Sequence, residues 1–360
     1  AFQFKPVVFN FNLGSTTSNF VKNREYKGNA FVIGTEKNPE KTSLDIVYKS
    51  KERYNKAPEV TVKNYSPEGK EQGKLKVKGD GKNEIVSTRI HNLSVNEQLL
   101  LGTFKKSPPP RKYFNPASNK ALSFGDDAEG MFFSKIENGT EKYIKYYAFK
   151  EFNQFYSLVT GQATVSDKQK EKLSQRYSGL TYRLLVHDII EKNDQYIMVA
   201  EAYYPQYHTQ CYYNGRGQTC YQVFDGFRFT NALVAGFDKE GNKLWDNSFE
   251  IMDVLTFKLK EKVRVLPFDN ETVLVYAFGS QIRSKIINGN EVVEGKTSTP
   301  LGTGFQNDQI RSSAENSIDY WYDNCFISYG YQKIKSDDEA LKQGKDSKRR
   351  VYYFNKVTFQ

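Results

Sequence analysis

The chain contains three histidines, His91, His187 and His208, whose imidazoles could bind a metal ion or transfer protons. His91 lies five residues before Asn96 and His187 six before Asn193, in the similar tetrapeptides IHNL and VHDI. In a ring of repeated sheets, such equivalent positions face one central channel, where imidazoles can hold a metal ion. The alternative is that a repeat reuses a structural histidine at a turn. We adopt that interpretation and predict no metal site and no cofactor.

Acidic side chains at apparent turns and strand starts raise a second possibility, glycoside hydrolysis. That chemistry needs two carboxyl groups, one acting as an acid and the other as a base or nucleophile. The candidates are Asp188, Asp225, Asp238 and Asp319. Their spacing singles out no pair, and an acid beside Gly is typical of a turn. We therefore predict no catalytic residue and keep a glycosidase or carbohydrate-binding propeller as the alternative function.

An aromatic stretch near the middle of the chain is the feature we predict to bind a partner. Cys211 and Cys220 bracket the polar, Gly-rich segment YYNGRGQT, and a disulfide between them would restrict a hairpin tip. Tyr and Arg offer large, rigid contact area with polar groups, which is typical of interfaces. These tyrosines can equally cover the end of the core. The predicted binding residues are Tyr203, Tyr204, Tyr207, His208, Tyr212, Tyr213 and Arg216.

The elements that carry these residues follow from a repeated pattern. An Asn or acidic pair precedes a strand-like hydrophobic run at several places along the chain. The polar pair is suited to a tight turn and the run to a buried, central strand. The five buried runs are predicted to begin at Phe31, Leu99, Tyr196, Val273 and Cys325. The third cysteine, Cys325, is thus expected to be a buried, unpaired thiol.

A second repeated element, two strands around a Gly-containing turn, follows each buried run. Residues 134–141 (SKIENGTE) and 284–291 (SKIINGNE) agree at six of eight positions, and both contain the hairpin signal Asn-Gly. This rhythm predicts an all-β fold, a β-propeller of about five blades forming a single domain over residues 1–360. The blade-like units are expected at residues 14–78, 84–152, 180–251, 260–299, and 305–360 plus 1–13.

The uneven spacing of these units has local explanations. Residues 166–177 (SDKQKEKLSQRY) begin with a capping Ser and continue with good helix formers, which predicts a short inserted helix. Residues 1–13 alternate like a strand that belongs to no unit. We expect this strand to complete the last blade and so to close the ring. The rival arrangement is a pair of β-sandwiches divided near residue 180.

Charge and composition restrict the partners. The formal net charge is +10, with basic residues concentrated in 49–82 and 342–350. Lys-rich strand edges and loops resist edge-to-edge pairing, which accounts for these segments, although an acidic polymer could also bind them. No basic and aromatic pattern of the RNA-binding kind occurs, so we do not expect a nucleic-acid partner. A glycan remains a possible ligand.

The cysteine pair and the start of the chain bear on its compartment. A disulfide is typical of an oxidising environment. The chain opens on Ala1 without an initiator Met. Its apolar runs are shorter than the ~18 residues needed to span a bilayer. We therefore expect a mature chain, exported to the periplasm, cell surface or extracellular space after signal removal, without a transmembrane segment.

The repeated units, the hairpin sequence GNKLW at 241–245 and the start of the chain together resemble secreted or envelope-attached β-propeller proteins of Gram-negative bacteria. Such proteins commonly serve as interaction platforms in envelope complexes. The resemblance implies a non-enzymatic binding or scaffold protein with a protein partner in a cell-envelope or extracellular complex.

Overall fold

Runs rich in Val, Ile, Tyr, Phe and Thr, separated by Gly-, Asn- and Asp-containing turns, make the described part of this chain almost entirely β-structure. In the computed structural model, the residues described are 7–12, 15–20, 29–38, 42–51, 58–106, 127–160, 183–213, 215, 217–252, 254–268, 270–303, 307–336 and 348–359. Every strand pair in this part of the chain whose register is defined is antiparallel.

The strands before residue 149 form a hairpin and two four-stranded sheets. The hairpin pairs β1 (Val7–Asn12) with β2 (Ser15–Phe20). The first sheet has the order β3 (Asn29–Asn38), β4 (Ser43–Lys51), β5 (Glu59–Tyr65) and β6 (Glu71–Val77). The second sheet also follows chain order, with β7 (Asn83–Asn92), β8 (Glu97–Lys106), β9 (Gly130–Glu137) and β10 (Thr140–Ala148).

The remaining strands form three further sheets. The third contains β11 (Arg183–Val186), β12 (Ile190–Lys192), β13 (Gln195–Tyr213), β14 (Gln218–Phe237), β15 (Lys243–Glu250) and β16 (Leu255–Thr256). Its main order is β11-β13-β14-β15, with β12 beside β13 and β16 beside β14. The fourth contains β17 (Arg264–Phe268), β18 (Glu271–Phe278), β19 (Gln281–Asn288) and β20 (Glu291–Pro300). The fifth contains β21 (Asp308–Tyr322), β22 (Cys325–Ser336) and β23 (Lys348–Thr358).

Four of the five predicted buried runs form central strands of their sheets, β8, β13, β18 and β22. Leu99, Tyr196, Val273 and Cys325 are each at most 3% exposed. The prediction for Phe31 is wrong, since its side chain is 40% exposed. The reason is its position on β3, the edge strand of the first sheet, where β4 and β5 are central instead.

The two matching octapeptides both form hairpins with two-residue loops, but the loop lies one position later in the second octapeptide than in the first. In the first, Glu137 pairs with Thr140, and the loop residues Asn138 and Gly139 both have positive φ. In the second, Asn288 pairs with Glu291, so that the loop is residues 289–290. Gly supplies the left-handed conformation in both loops, at the second loop position in one and at the first in the other.

The inserted helix, the N-terminal strand and the number of blades were also predicted from the sequence. The helix predicted at 166–177 lies outside the described residues. A short 3₁₀-helix (Phe149–Glu151) and α1 (Asn153–Thr160), neither of them predicted from the sequence, follow the second sheet. The N-terminal strand β1 pairs with β2. Closure of a ring by this strand, and the blade count, remain predictions.

The chain divides into two compact units, Ala1–Val199 with Phe237–Leu244, and Ala200–Gly236 with Trp245–Gln360. In the first unit, apolar side chains of the first and second sheets pack into one cluster around Val47, Val62, Leu100 and Phe132. In the second unit, the fourth and fifth sheets share a cluster that includes Val275, Ile318 and Phe326. Among the described helices, none is long and apolar enough to cross a membrane.

Candidate functional site

Strands β13 and β14 continue past most of the third sheet as a two-stranded arm, residues 203–213 and 218–228, which we call the ribbon. Strand β16 pairs with the base of this arm at Phe227 and Arg228. Residues 196–202 of β13 are apolar except Glu201 and are buried, whereas Tyr204 and the positions from 207 to 213 are exposed. The described strands β11 and β12 lie beside the first half of β13, and β15 and β16 beside the second half of β14. Ten residues of β-strand span about 33 Å, so the ribbon is a substantial projection of this sheet.

A disulfide between Cys211 and Cys220 closes the tip of the ribbon, as predicted, with a Cα–Cα distance of 4.0 Å. Two further cross-strand contacts continue its register. Gln222 Nε2 donates to Thr209 Oγ1 at 2.8 Å, and the rings of Tyr207 and Phe224 lie 5.5 Å apart. The disulfide therefore ties together strands that already pair residue by residue. Cys325 is the buried, free cysteine that the sequence predicts.

One face of the ribbon is a row of aromatic rings. Tyr203 and Tyr207 come from β13, and Phe224 and Phe227 from β14. The ring centroids are 5.7 Å apart for Tyr203 and Phe227, and 5.1 Å apart for Phe224 and Phe227. Phe257, just after β16, extends the row at 6.2 Å from Phe224 and is 71% exposed.

A backbone irregularity at Gly226 explains why Phe224 and Phe227 share this face. Residues three apart in a regular strand point to opposite faces. Gly226 has φ of 135°, and a Cβ placed there would lie 2.9 Å from the carbonyl oxygen of Thr256. Only glycine fits this position without strain, and the local change of alternation brings both phenylalanines to one side.

The opposite face of the ribbon is polar. His208 Nδ1 lies 2.5 Å from Asp225 Oδ1, and Arg228 Nε donates to Gln206 Oε1 at 2.6 Å. Near the tip, the rings of Tyr212 and Tyr221 are 5.1 Å apart. Tyr221 donates its hydroxyl hydrogen to the hydroxyl oxygen of Tyr212, and this bond raises the pKa of Tyr221.

The structure thus places six of the seven predicted binding residues on the ribbon, but not on one surface. Strand alternation and the contacts above put Tyr203, Tyr207 and Tyr213 on the aromatic face. The same alternation puts Tyr204, His208 and Tyr212 on the polar face. Arg216 lies outside the described residues.

Several aromatic residues of the ribbon were not predicted from the sequence, namely Tyr221, Phe224 and Phe227 on β14 and Phe257 beyond it, and Asp225 was considered only as a catalytic acid. The signal for them was present, because Tyr221, Phe224 and Phe227 follow the Gly-rich tip at positions that a hairpin places beside the tyrosines of β13. The two-residue period that would assign their faces is interrupted at Gly226, where the backbone is irregular.

The four acids considered for glycoside hydrolysis each have a local partner. Asp188 pairs with Arg89 at 3.6 Å, and Asp225 with His208. Asp238 accepts the backbone N–H of Asn242 within a turn at 2.6 Å. Asp319 accepts from Arg264 Nε at 2.8 Å and from the Tyr329 hydroxyl at 2.6 Å. These contacts are those of turns and ion pairs.

The cavity at the end of the fourth sheet has a volume of about 530 Å³ and is lined by residues 278–281, 300–303, Asp308 and Ile310. Asp308 is the single carboxylate in that lining, and Arg349 pairs with it at 2.7 Å. A two-carboxylate mechanism therefore has no support from the residues that line this cavity.

The two equivalent histidines lie in the first compact unit. His91 is on β7, where burial lowers its pKa. His187 follows β11, is 7% exposed, and its backbone N–H donates to the carbonyl of Val199 at 2.9 Å. Across the described residues, no three His, Cys, Asp or Glu side chains converge as metal ligands would.

No known protein family and no curated protein matches this chain. Among solved structures, the polysaccharide lyase Uly1 is similar with a TM-score of 0.35 and 10% identity, over 88% of this chain and 56% of that one. The Trypanosoma rangeli sialidase in complex with sialic acid is similar with a TM-score of 0.23 and 9% identity, over 98% and 56%. This chain therefore spans about half the length of both. Similarity at this level assigns neither a family nor an activity.

Proposed function

We propose that this chain is a binding or scaffold protein that holds a protein partner through the ribbon, in an exported, cell-envelope or extracellular complex. The observation that carries the proposal is the exposure of the ribbon's tyrosines. Tyr207, Tyr212 and Tyr213 are 53%, 52% and 80% exposed. Large exposed aromatic patches are typical of interaction surfaces, and tyrosine is enriched among residues that dominate interface energies.

The backbone of the ribbon supports the same proposal. Among the described strands, β11, β12, β15 and β16 lie beside the inner parts of β13 and β14 and not beside the tip. Backbone N–H and C=O groups along the outer edges of the tip can pair with an additional strand from a partner, a common mode of protein recognition. The disulfide holds the two strands in register, which lowers the entropy lost on binding.

The disulfide is typical of an oxidising compartment, and it therefore supports the exported location in this proposal. The glycosidase alternative requires paired carboxylates, and it has less support because each of the four candidate acids has a local partner.

The test replaces Tyr212 and Tyr213 together by Ala in the full chain. A photoreactive residue placed at Tyr207 should crosslink one partner of defined mass in the envelope fraction of the source cells. The double substitution should reduce the yield at least about tenfold, as loss of ~1.4 kcal/mol of binding free energy would. The thermal midpoint should stay unchanged, because both side chains are exposed.

The matched control is Val292→Ala with Val293→Ala, an adjacent exposed pair on β20. This pair should leave the crosslink intact. Equal loss in both double variants, or no specific crosslink from position 207, would contradict the proposal.

A further inference from the structure

The outer face of the fifth sheet is a second unassigned surface, separate from the ribbon. Along β22, residues 326, 328, 330, 332, 334 and 336 are buried, whereas positions 327–335 of odd number are half-buried or exposed. Along β23, the positions of even number are exposed. The pairing register places Tyr329 opposite Phe354 and Tyr331 opposite Tyr352. These four rings therefore share the face that points away from the core.

Two of the four rings are highly exposed, Tyr352 at 53% and Phe354 at 68%. Their centroids lie 6.4 Å apart, and Tyr331 lies 5.1 Å from Tyr352. Tyrosine and phenylalanine favour strands in general, but solvent-facing strand positions are normally filled by polar residues. A contiguous aromatic patch there is typical of a binding surface.

Basic side chains surround the aromatic patch. Lys348 and Arg350 precede the rings on the same face of β23, and Lys333 pairs opposite Arg350. The Arg350 guanidinium lies 4.3 Å from the centroid of the Tyr331 ring. Lys356 Nζ lies 5.0 Å from the Tyr322 ring centroid and donates to its hydroxyl at 2.8 Å, which raises the pKa of Lys356.

Acidic groups do little to offset these charges. On β21, Asp319 pairs with Ile327 and lies on this face, but Arg264 neutralises it at 2.8 Å. Arg311 and Glu315 lie in irregular parts of β21, and their charges oppose each other. Among the described residues, this face is therefore positive and aromatic.

We infer that this face binds an acidic polysaccharide, a chain of sugar rings that carry carboxylate or sulfate groups. Sugar rings would stack on Tyr352 and Phe354, while Arg350 and Lys356 would neutralise the acidic groups. The positive charge makes the face complementary to a polyanion. The disulfide of the ribbon favours a glycan over a nucleic acid, because disulfides persist in the oxidising environments where polysaccharides are found.

The experiment measures binding of the full chain to polygalacturonate and to heparin, with neutral dextran and single-stranded oligothymidine as comparisons. One of the acidic polysaccharides should bind, and its affinity should fall as salt concentration rises. Dextran should not bind. Tyr352→Ala with Phe354→Ala should weaken binding at least about tenfold, and Tyr352→Phe, which keeps the ring, should not.

A matched pair of charge variants separates this face from the net charge of +10. Arg350→Gln with Lys356→Gln should weaken binding and reduce its salt dependence. Lys76→Gln with Lys142→Gln removes the same charge from exposed sites on the first and second sheets, and should change affinity less than about twofold. Tyr213→Ala on the ribbon should leave polysaccharide binding unchanged, which distinguishes this site from the proposed partner site.

Three outcomes would overturn the inference. One is that neither polysaccharide binds. Another is that both charge variants lose equal affinity, since binding would then reflect net charge alone. The third is that oligothymidine binds more tightly than either polysaccharide and loses that binding in the aromatic variant, which would make the face a nucleic-acid site.

Discussion

Lys285 shows how the fold changes the chemistry of a single side chain. It lies on the central strand β19 and donates through Nζ to Asn247 Oδ1 at 2.8 Å and to the carbonyl of Ser248 at 2.7 Å. Burial, with a smaller contribution from the nearby cation Lys296, lowers the pKa of Lys285 to about 8. Both hydrogen bonds need only a donor, so the neutral amine can also make them.

This pKa gives the stability a pH dependence of known sign. Between about pH 8 and about pH 10.4, the usual value for lysine, the unfolded chain holds a proton at this side chain that the folded chain has released. The free energy of unfolding therefore rises with pH across that window, and the gain is lost as pH falls to about 8. Denaturant unfolding should show that the wild type gains stability from pH 8 to 10 relative to Lys285→Met.

The exposed residue Lys76, substituted by Met, serves as the control for that measurement. The difference in free energy of unfolding between Lys76→Met and the wild type should stay constant across the same pH range. If the free energy of unfolding changed with pH equally in the wild type and in Lys285→Met, the pH dependence could not be assigned to this lysine.

The ribbon is an element whose stability we expect to be local. Its exposed half lacks a buried apolar face, so it depends on cross-strand pairs and on the disulfide. A bridge of sequence separation 9 closes a short loop, and closure of such a loop contributes at most about 3 kcal/mol. The sheet from which the ribbon extends contains fully buried apolar residues, including Val199, Leu233 and Val234.

Replacing Cys211 and Cys220 by Ser should therefore loosen the ribbon without unfolding the sheet. Hydrogen exchange at residues 204–213 and 218–224 should accelerate at least about tenfold, because local opening needs less free energy. Exchange at residues 196–202 and 229–236 should not change. If exchange accelerated equally in both groups, the ribbon and sheet would open together, and this interpretation would be wrong.

At the scale of the whole molecule, five sheets follow one another along the described chain. The first four-stranded sheets occupy residues 29–77 and 83–148, and the later ones 183–256, 264–300 and 308–358. A closed ring would protect the edges of the fifth sheet, where β21 and β23 are the outer strands.

The prediction of closure by residues 1–13 can be tested by deletion. Removing them should increase hydrogen exchange at an edge strand of the fifth sheet, Asp308–Tyr322 or Lys348–Thr358, since its outer N–H groups would lose their partners. Removing residues 1–6 alone keeps β1 and should have no such effect. Unchanged exchange at both edge strands after the longer deletion would contradict closure.

Local signals determined much of this protein from sequence. The polar turn followed by an apolar run identified four central strands, because burial on both faces requires continuous hydrophobicity. The pair Asn193 and Asp194 forms a hairpin turn with both φ values positive, as its composition indicated. The disulfide followed from two cysteines around a Gly-rich tip, and the buried Cys325 from its apolar surroundings.

Tertiary structure alone decided which side chains share a surface. Phe31 follows a looser copy of the pattern that precedes Leu99, yet its strand is an edge strand, and strand order depends on partners distant in sequence. The predicted tyrosines lie on two faces of the ribbon, and Gly226 brings Phe224 and Phe227 together, because alternation and backbone irregularity set the direction of each side chain. The aromatic, basic face of the fifth sheet appears only when the register aligns β22 with β23.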